Sequence, residues 1–247
     1  MMSEPKTVAK SIEEVAPGLF HYQIHDERIN HISDGYAVVE GGSAVLVDPL
    51  PIEPALLDRL GPVGAIVIAS PTHQRSAWRY RRETGARVHA PEGIAGLDEA
   101  PDTFFRDGDR LPGGLRAVLA PGPKGPHCAL YLDRGPGALL CADLFTHDPG
   151  EPVVLLPDKY LEDPAAARQS ARRLGTLRFE VLCFGHGAPI TRGGRKAIGD
   201  LVARQGKAGH RPRKAAKKKV AARATRRGSA RTRTGAARKR RKAAKKR

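Results

Sequence analysis

The sequence predicts an α/β domain of two β-sheets with helices on their outer sides, followed by a disordered polycationic tail. Three observations predict it. Short apolar segments bounded by Gly, Pro and Asp fill the first and middle parts of the chain, as strands do. Helical patterns become regular only later, the order expected when sheets form first and helices cover them. The charge is also divided: of 43 Lys and Arg, residues 206–247 hold 20 with no acidic residue, which leaves 23 basic against 26 acidic groups in residues 1–205. The net charge of +17 is therefore a property of the tail.

In chain order, Gly18 to Ile24, Tyr36 to Glu40 and Ala44 to Asp48 read as a strand and then a hairpin turned at Gly41-Gly42. Ala65 to Ala69 (AIVIA) is continuously apolar, as in a central strand buried on both faces. Helical patterns flank it at Pro54 to Leu60 and Ser76 to Thr84, the second stopped by Gly85. Arg87 to Ala90, Leu115 to Ala120, Cys128 to Leu132 and Ala138 to Cys141 continue as strands. Asp163-Pro164 introduces a helix at Ala165 to Leu174, with proline in the first turn that tolerates it. Glu180 to Phe184 is a last buried strand and Lys196 to Arg204 a last helix. The expected division is a flexible N-terminus (1–11), one folded domain (12–204) and the tail (205–247).

Cys128, Cys141 and Cys183 lie in apolar stretches without the spacing of a disulfide framework, which favours a reducing interior. Neither a signal-peptide pattern nor an apolar run of membrane-spanning length is present, so the expectation is a cytoplasmic protein, with nucleoid association if the tail binds DNA.

Three clusters of polar residues follow buried strands, where α/β proteins build their sites: Ser70-Pro71-Thr72-His73-Gln74-Arg75, Ala142-Asp143 and Gly185-His186-Gly187. His127 and His147 are further candidates near Asp143, while His21, His25 and His31 receive no role. Ser76 to Arg82, with Trp78 and Tyr80 among arginines, is either a helix with its aromatics in the core or a basic stacking surface.

Val15-Ala16-Pro17-Gly18, the hairpin ending Leu46-Val47-Asp48, Cys141-Ala142-Asp143-Leu144-Phe145 and Phe184-Gly185-His186-Gly187-Ala188-Pro189 together resemble the metallo-β-lactamase superfamily over residues 12–204. The resemblance implies an αββα sandwich and one or two zinc or iron ions that activate water for hydrolysis. It also implies a departure. Where the family carries H-x-H-x-D-H, this chain has Ser70 to Arg75, and a shift of one residue recovers His73 alone. Where the family carries G-H-T-P-G, it has Gly122-Pro123-Lys124-Gly125-Pro126. Asp143 and His186 match the bridging carboxylate and the last histidine.

Two readings follow from this resemblance. In the first the dinuclear site is lost, no cofactor is held, and Arg75 pairs with Asp143 to supply the charge a metal would have given. The domain then binds or scaffolds. In the second, Asp143, His186 and His73, with His127 or His147 as a further member, hold a single zinc or iron ion in a working hydrolase of esters, thioesters or phosphoesters. The candidate catalytic residues are Asp143, His186, Arg75 and His73.

The tail lacks aromatics and has Val220 as its one apolar residue larger than Ala or Pro, so it is expected to be disordered when free. Its Lys/Ala-rich runs resemble the tails of linker histones. Lys214, Lys217, Lys218, Lys219, Arg226, Arg227, Arg238, Lys239, Arg240, Arg241, Lys242, Lys245, Lys246 and Arg247 are the expected contacts to DNA or RNA phosphates, without sequence preference.

Overall fold

The computed structural model describes residues 4–209. The tail cations named above lie outside the described residues.

The described chain arranges its strands and helices in four layers. The first sheet begins as an antiparallel meander, β1 (Glu13–Ala16), β2 (Leu19–Asp26), β3 (His31–Glu40) and β4 (Ser43–Val47). After helix α1 (Pro54–Asp58) it continues in parallel through β5 (Val63–Val67), then helix α2 (Ala77–Thr84), β6 (Arg87–Pro91) and β7 (Thr103–Phe105). The second sheet contains β8 (Leu115–Leu119), β9 (Cys128–Leu132) and β10 (Ala138–Leu140). A small hairpin of β11 (Phe145–Thr146) and β12 (Val154–Leu155) follows, and helix α3 (Pro164–Leu174) precedes β13 (Val181–Cys183) and helix α4 (Gly194–Gly209). Strand order is β1 to β7 in one sheet and β13-β10-β9-β8 in the other, with β13 parallel to β10.

The period-2 alternation of the strands explains the layering. Along β4 and β5, Val45, Val47, Ala65 and Val67 face the second sheet and meet Leu130, Leu132, Leu140 and Cys183, while Leu46 and Ile66 face the other way, toward Trp78 and Tyr80 of α2. Ala167, Ala171 and Leu174 of α3 and Ile198 and Leu201 of α4 cover the outer face of the second sheet. The result is an αββα sandwich. α3 begins where Asp163 accepts the amides of Ala165 and Ala166, both at 2.9 Å, so the Asp-Pro signal is a side-chain cap followed by an N1 proline.

Of the two readings of Ser76 to Arg82, the structure shows the core helix: Ala77–Thr84 buries Trp78 and Tyr80, and Arg79, Arg81 and Arg82 are held by Glu4, Asp102 and Glu99, so this segment presents no aromatic stacking surface. Two differences from the sequence reading have physical causes. Residues 4–11, expected to be flexible, are docked: Ala9 is buried and exchanges hydrogen bonds with Pro51 and Glu53, and Glu27 accepts from Lys6 and Thr7. α4 extends to Gly209, past the expected start of the tail.

Candidate metal centre

Four strand ends on one edge of the sandwich carry the polar residues. Asp48 follows β4, His73 closes a single turn after β5, Asp143 follows β10, and His186 follows β13. Of four non-glycine residues with positive φ among the described residues, three lie here: Asp48 (47°), Arg75 (35°) and Ala142 (44°). Left-handed backbone is costly for such residues and persists where the surroundings impose it, most often at working sites.

His73 is the hub. It is buried, its Nδ1 lies 2.8 Å from Asp48 Oδ2 and its Nε2 2.9 Å from Asp143 Oδ1. Asp48 is fixed in turn by the Ala69 amide, which donates to Oδ1 at 2.7 Å. His186 approaches the same Asp143 oxygen with Nε2 at 3.4 Å, while its Nδ1 donates to Ile32 O at 2.7 Å. Thr72 donates its hydroxyl to Asp143 Oδ2 at 3.0 Å. Gly185 makes the convergence sterically feasible, because a Cβ there would lie 2.6 Å from His73 Cε1.

The charges follow from these contacts. Burial opposes ionisation of Asp143, but the histidines around it, His73 foremost, hold its carboxyl far below the usual range. Burial and the nearby Arg75 work against protonation of His73, yet Asp143 and Asp48 outweigh them and raise its pKa to about 9. His186 is shifted down by burial, against the pull of Asp143. Burial likewise pushes His127 down to about 4.

A stability profile follows from these shifts in the metal-free chain. His73 is raised above its unfolded value of 6.5, so its contribution is full below that pH and is lost as pH climbs toward 9. His127 is depressed, so between 6.5 and about 4 only the unfolded chain takes up its proton and stability falls with falling pH; Asp143 extends this acid limb. Urea unfolding with a chelator present is expected to show maximal stability near pH 6.5, with slopes of at most about 1.4 kcal/mol per pH unit for each group. A flat profile between pH 4 and 9 would contradict the assignment.

The structure thus brings three of the four expected catalytic residues together. Arg75 is the exception and a correction: its guanidinium turns from Asp143 and donates Nη1 to the backbone oxygens of Asp34 (2.6 Å) and Asp48 (3.2 Å). With His73 already occupying Asp143, the buried arginine satisfies backbone carbonyls instead. His147 lies apart from the three converging side chains, donating Nδ1 to Ala188 O and stacking on Phe184. His31 stacks on His186 with ring centroids 5.7 Å apart, and His21 forms a buried pair with Asp34 at 2.6 Å.

His73, Asp143 and His186 each offer one ligand atom, all within 4.8 Å of one another, and among the described residues they are the one such group of His, Cys, Asp or Glu. The donor set suits a metal. Zinc bonds of about 2.0–2.1 Å at tetrahedral angles set neighbouring donors roughly 3.3 Å apart, close to the 2.9 and 3.4 Å found here. Both imidazoles direct Nε2 inward while Nδ1 is bound to a carboxylate or a carbonyl, the outer support that metal-ligating histidines use.

The fold is thus an αββα sandwich with a two-histidine, one-carboxylate cluster at its strand ends. The chain belongs to the metallo-β-lactamase superfamily: the sequence profile described as "Metallo-beta-lactamase superfamily" matches residues 9–205. Among solved structures it is similar to the metallo-β-lactamase family protein TTHA1429 of Thermus thermophilus (21% identity, TM-score 0.59, covering 78% of this chain and 81% of that one). It is also similar to the DIM-1 metallo-β-lactamase (14%, TM-score 0.62, 81% and 99%) and to a metallo-β-lactamase from Erythrobacter litoralis (17%, TM-score 0.57, 80% and 92%). At these identities the likeness shows the fold. A search of curated proteins found no match. No helix among the described residues is long and apolar enough to cross a membrane.

Proposed function

We propose that this chain is a single-metal hydrolase in which His73, Asp143 and His186 hold one zinc or iron ion, the second metal position of the family having been lost. The observation that carries the reading is the convergence of the three donors with both imidazoles oriented from behind. A catalytic zinc site needs about three protein ligands and an open position. When bound, the ion would supply an activated water and polarise a carbonyl or phosphoryl oxygen. Two features favour one ion over two. Thr72 donates to Asp143 Oδ2, and the buried guanidinium of Arg75 keeps a fixed positive charge beside the site.

The tail would add a tether. Twenty basic residues without an acidic one suit sequence-independent binding to DNA or RNA driven by counterion release. Both parts are testable on purified full-length protein. Hydrolysis of ester, thioester and phosphodiester substrates is expected to depend on added zinc or iron, and inactivity toward all three with metal bound would overturn the enzymatic reading. Gel shifts are expected to weaken with salt at a log–log slope of about −0.9 per phosphate contact on duplex DNA, and to vanish in a chain ending at Gly209. An unchanged shift in the shortened chain would place binding elsewhere.

A further inference from the structure

We propose that His127 is a positioning residue that clamps the peptide unit from which Asp143 departs, and so sets the metal affinity of the site. This rests on the single-metal reading above. His127 stands immediately before β9 and is fully buried. Its Nε2 lies 3.2 Å from the Asp143 amide and its Nδ1 3.0 Å from Ala120 O. An amide N–H can only donate and a carbonyl can only accept, so these two partners fix one tautomer: the proton is on Nδ1 and the Nε2 lone pair is taken. With both ring nitrogens engaged, His127 is not available as a ligand.

The bond falls on a sensitive peptide. Ala142 sits at φ 44°, and the peptide between Ala142 and Asp143 is held from both sides: its carbonyl accepts the Gly185 amide at 2.8 Å, and its N–H donates to His127. Rotation of that plane would swing the Asp143 carboxylate away from His73 and His186. Gly185 supplies one grip from the loop that carries His186, and His127 supplies the other from the loop before β9. His127 is anchored there because its own carbonyl accepts the Ala120 amide at 2.9 Å while its ring donates back to Ala120 O. Loss of the ring acceptor also leaves the part-buried Asp143 amide without this partner, which favours departure from the strained conformation.

The test uses three substitutions in the full chain, read by zinc titration against a competing chelator and by amide hydrogen exchange of the metal-free protein. His127→Asn keeps a donor within reach of Ala120 O but is too short to accept from Asp143; His127→Gln places an acceptor near the old Nε2; His127→Leu offers neither. Zinc affinity is expected to fall roughly 10–100-fold in the Asn and Leu variants, the range typical of lost outer-shell support, and to return within a few-fold of wild type in Gln. Exchange at the Asp143 amide is expected to accelerate in Asn and Leu beyond any global change in stability. Should the Leu variant not fold, the comparison of Asn with Gln decides. Wild-type zinc binding with undiminished affinity in Asn would overturn this inference alone, whereas a wild-type chain that binds no zinc would overturn the metal reading and this inference with it.

Discussion

Asp143→Asn is expected to abolish stoichiometric metal binding, and hydrolysis with it, while the fold survives. The substitution keeps the shape, and its amide oxygen can still accept from His73, so the backbone around residue 143 has no reason to move. It removes the negative charge on which two imidazoles converge. A neutral amide oxygen is a poor ligand for zinc, and the loss of metal affinity is expected to exceed the roughly 10–100-fold that removal of an outer-shell partner costs. His73 would also lose the first of the two carboxylates that raise its pKa, so the alkaline limb of the metal-free stability profile should shrink in the same variant. Metal content by elemental analysis, beside a thermal melt, checks both parts; full metal occupancy in Asp143→Asn would contradict the assignment of Asp143 as a ligand.

Gly187→Ala is expected to destabilise the fold by more than about 3 kcal/mol, a large effect for one methyl group. Gly187 has φ 129°, a conformation that side chains rarely adopt, and a Cβ there would lie 2.1 Å from the backbone oxygen of His147 and 2.9 Å from its carbonyl carbon. Neither atom can yield as the tip of a flexible side chain could. The Gly187 amide also donates to Asp34 Oδ2 at 2.8 Å, which ties the loop carrying His186 to β3. Relief of the clash therefore requires the His186 loop to move, so metal affinity should drop along with stability. A urea midpoint within the equivalent of about 1 kcal/mol of wild type would contradict this account of the loop.

The sequence exposed those features whose signals are local. AIVIA announced a strand buried on both faces, because Ala65 and Val67 face one core and Ile66 the other. Asp163-Pro164 and Gly85 marked helix ends through chemistry confined to a few residues. Asp143, His186 and His73 were legible as polar residues following buried strands. Their supports were not, since each comes from a distant part of the chain: Asp48 reaches His73 from β4, Thr72 reaches Asp143 across 71 residues, and Ile32 O orients His186 across 154. For Asp48 a faint signal existed, a single acidic residue closing the apolar run Ala44 to Val47.

Arg75 shows the limit of charge matching along a sequence. The resemblance puts Arg75 where a metal-binding histidine would sit beside Asp143, which suggested an ion pair, but once folded it donates to the carbonyls of Asp34 and Asp48, and backbone satisfaction takes precedence. Trp78 shows the converse. Surrounded by arginines in sequence, it is 1% exposed, because helical periodicity points it at the sheet while Arg79, Arg81 and Arg82 reach outward to acids.

The most direct measurement is metal stoichiometry: full-length protein saturated with zinc or iron, freed of excess by gel filtration, and analysed per chain. A cluster of two imidazoles and one carboxylate whose second oxygen is already engaged predicts about one ion per chain, released together with activity by a chelator. Two ions per chain, or none, would contradict it.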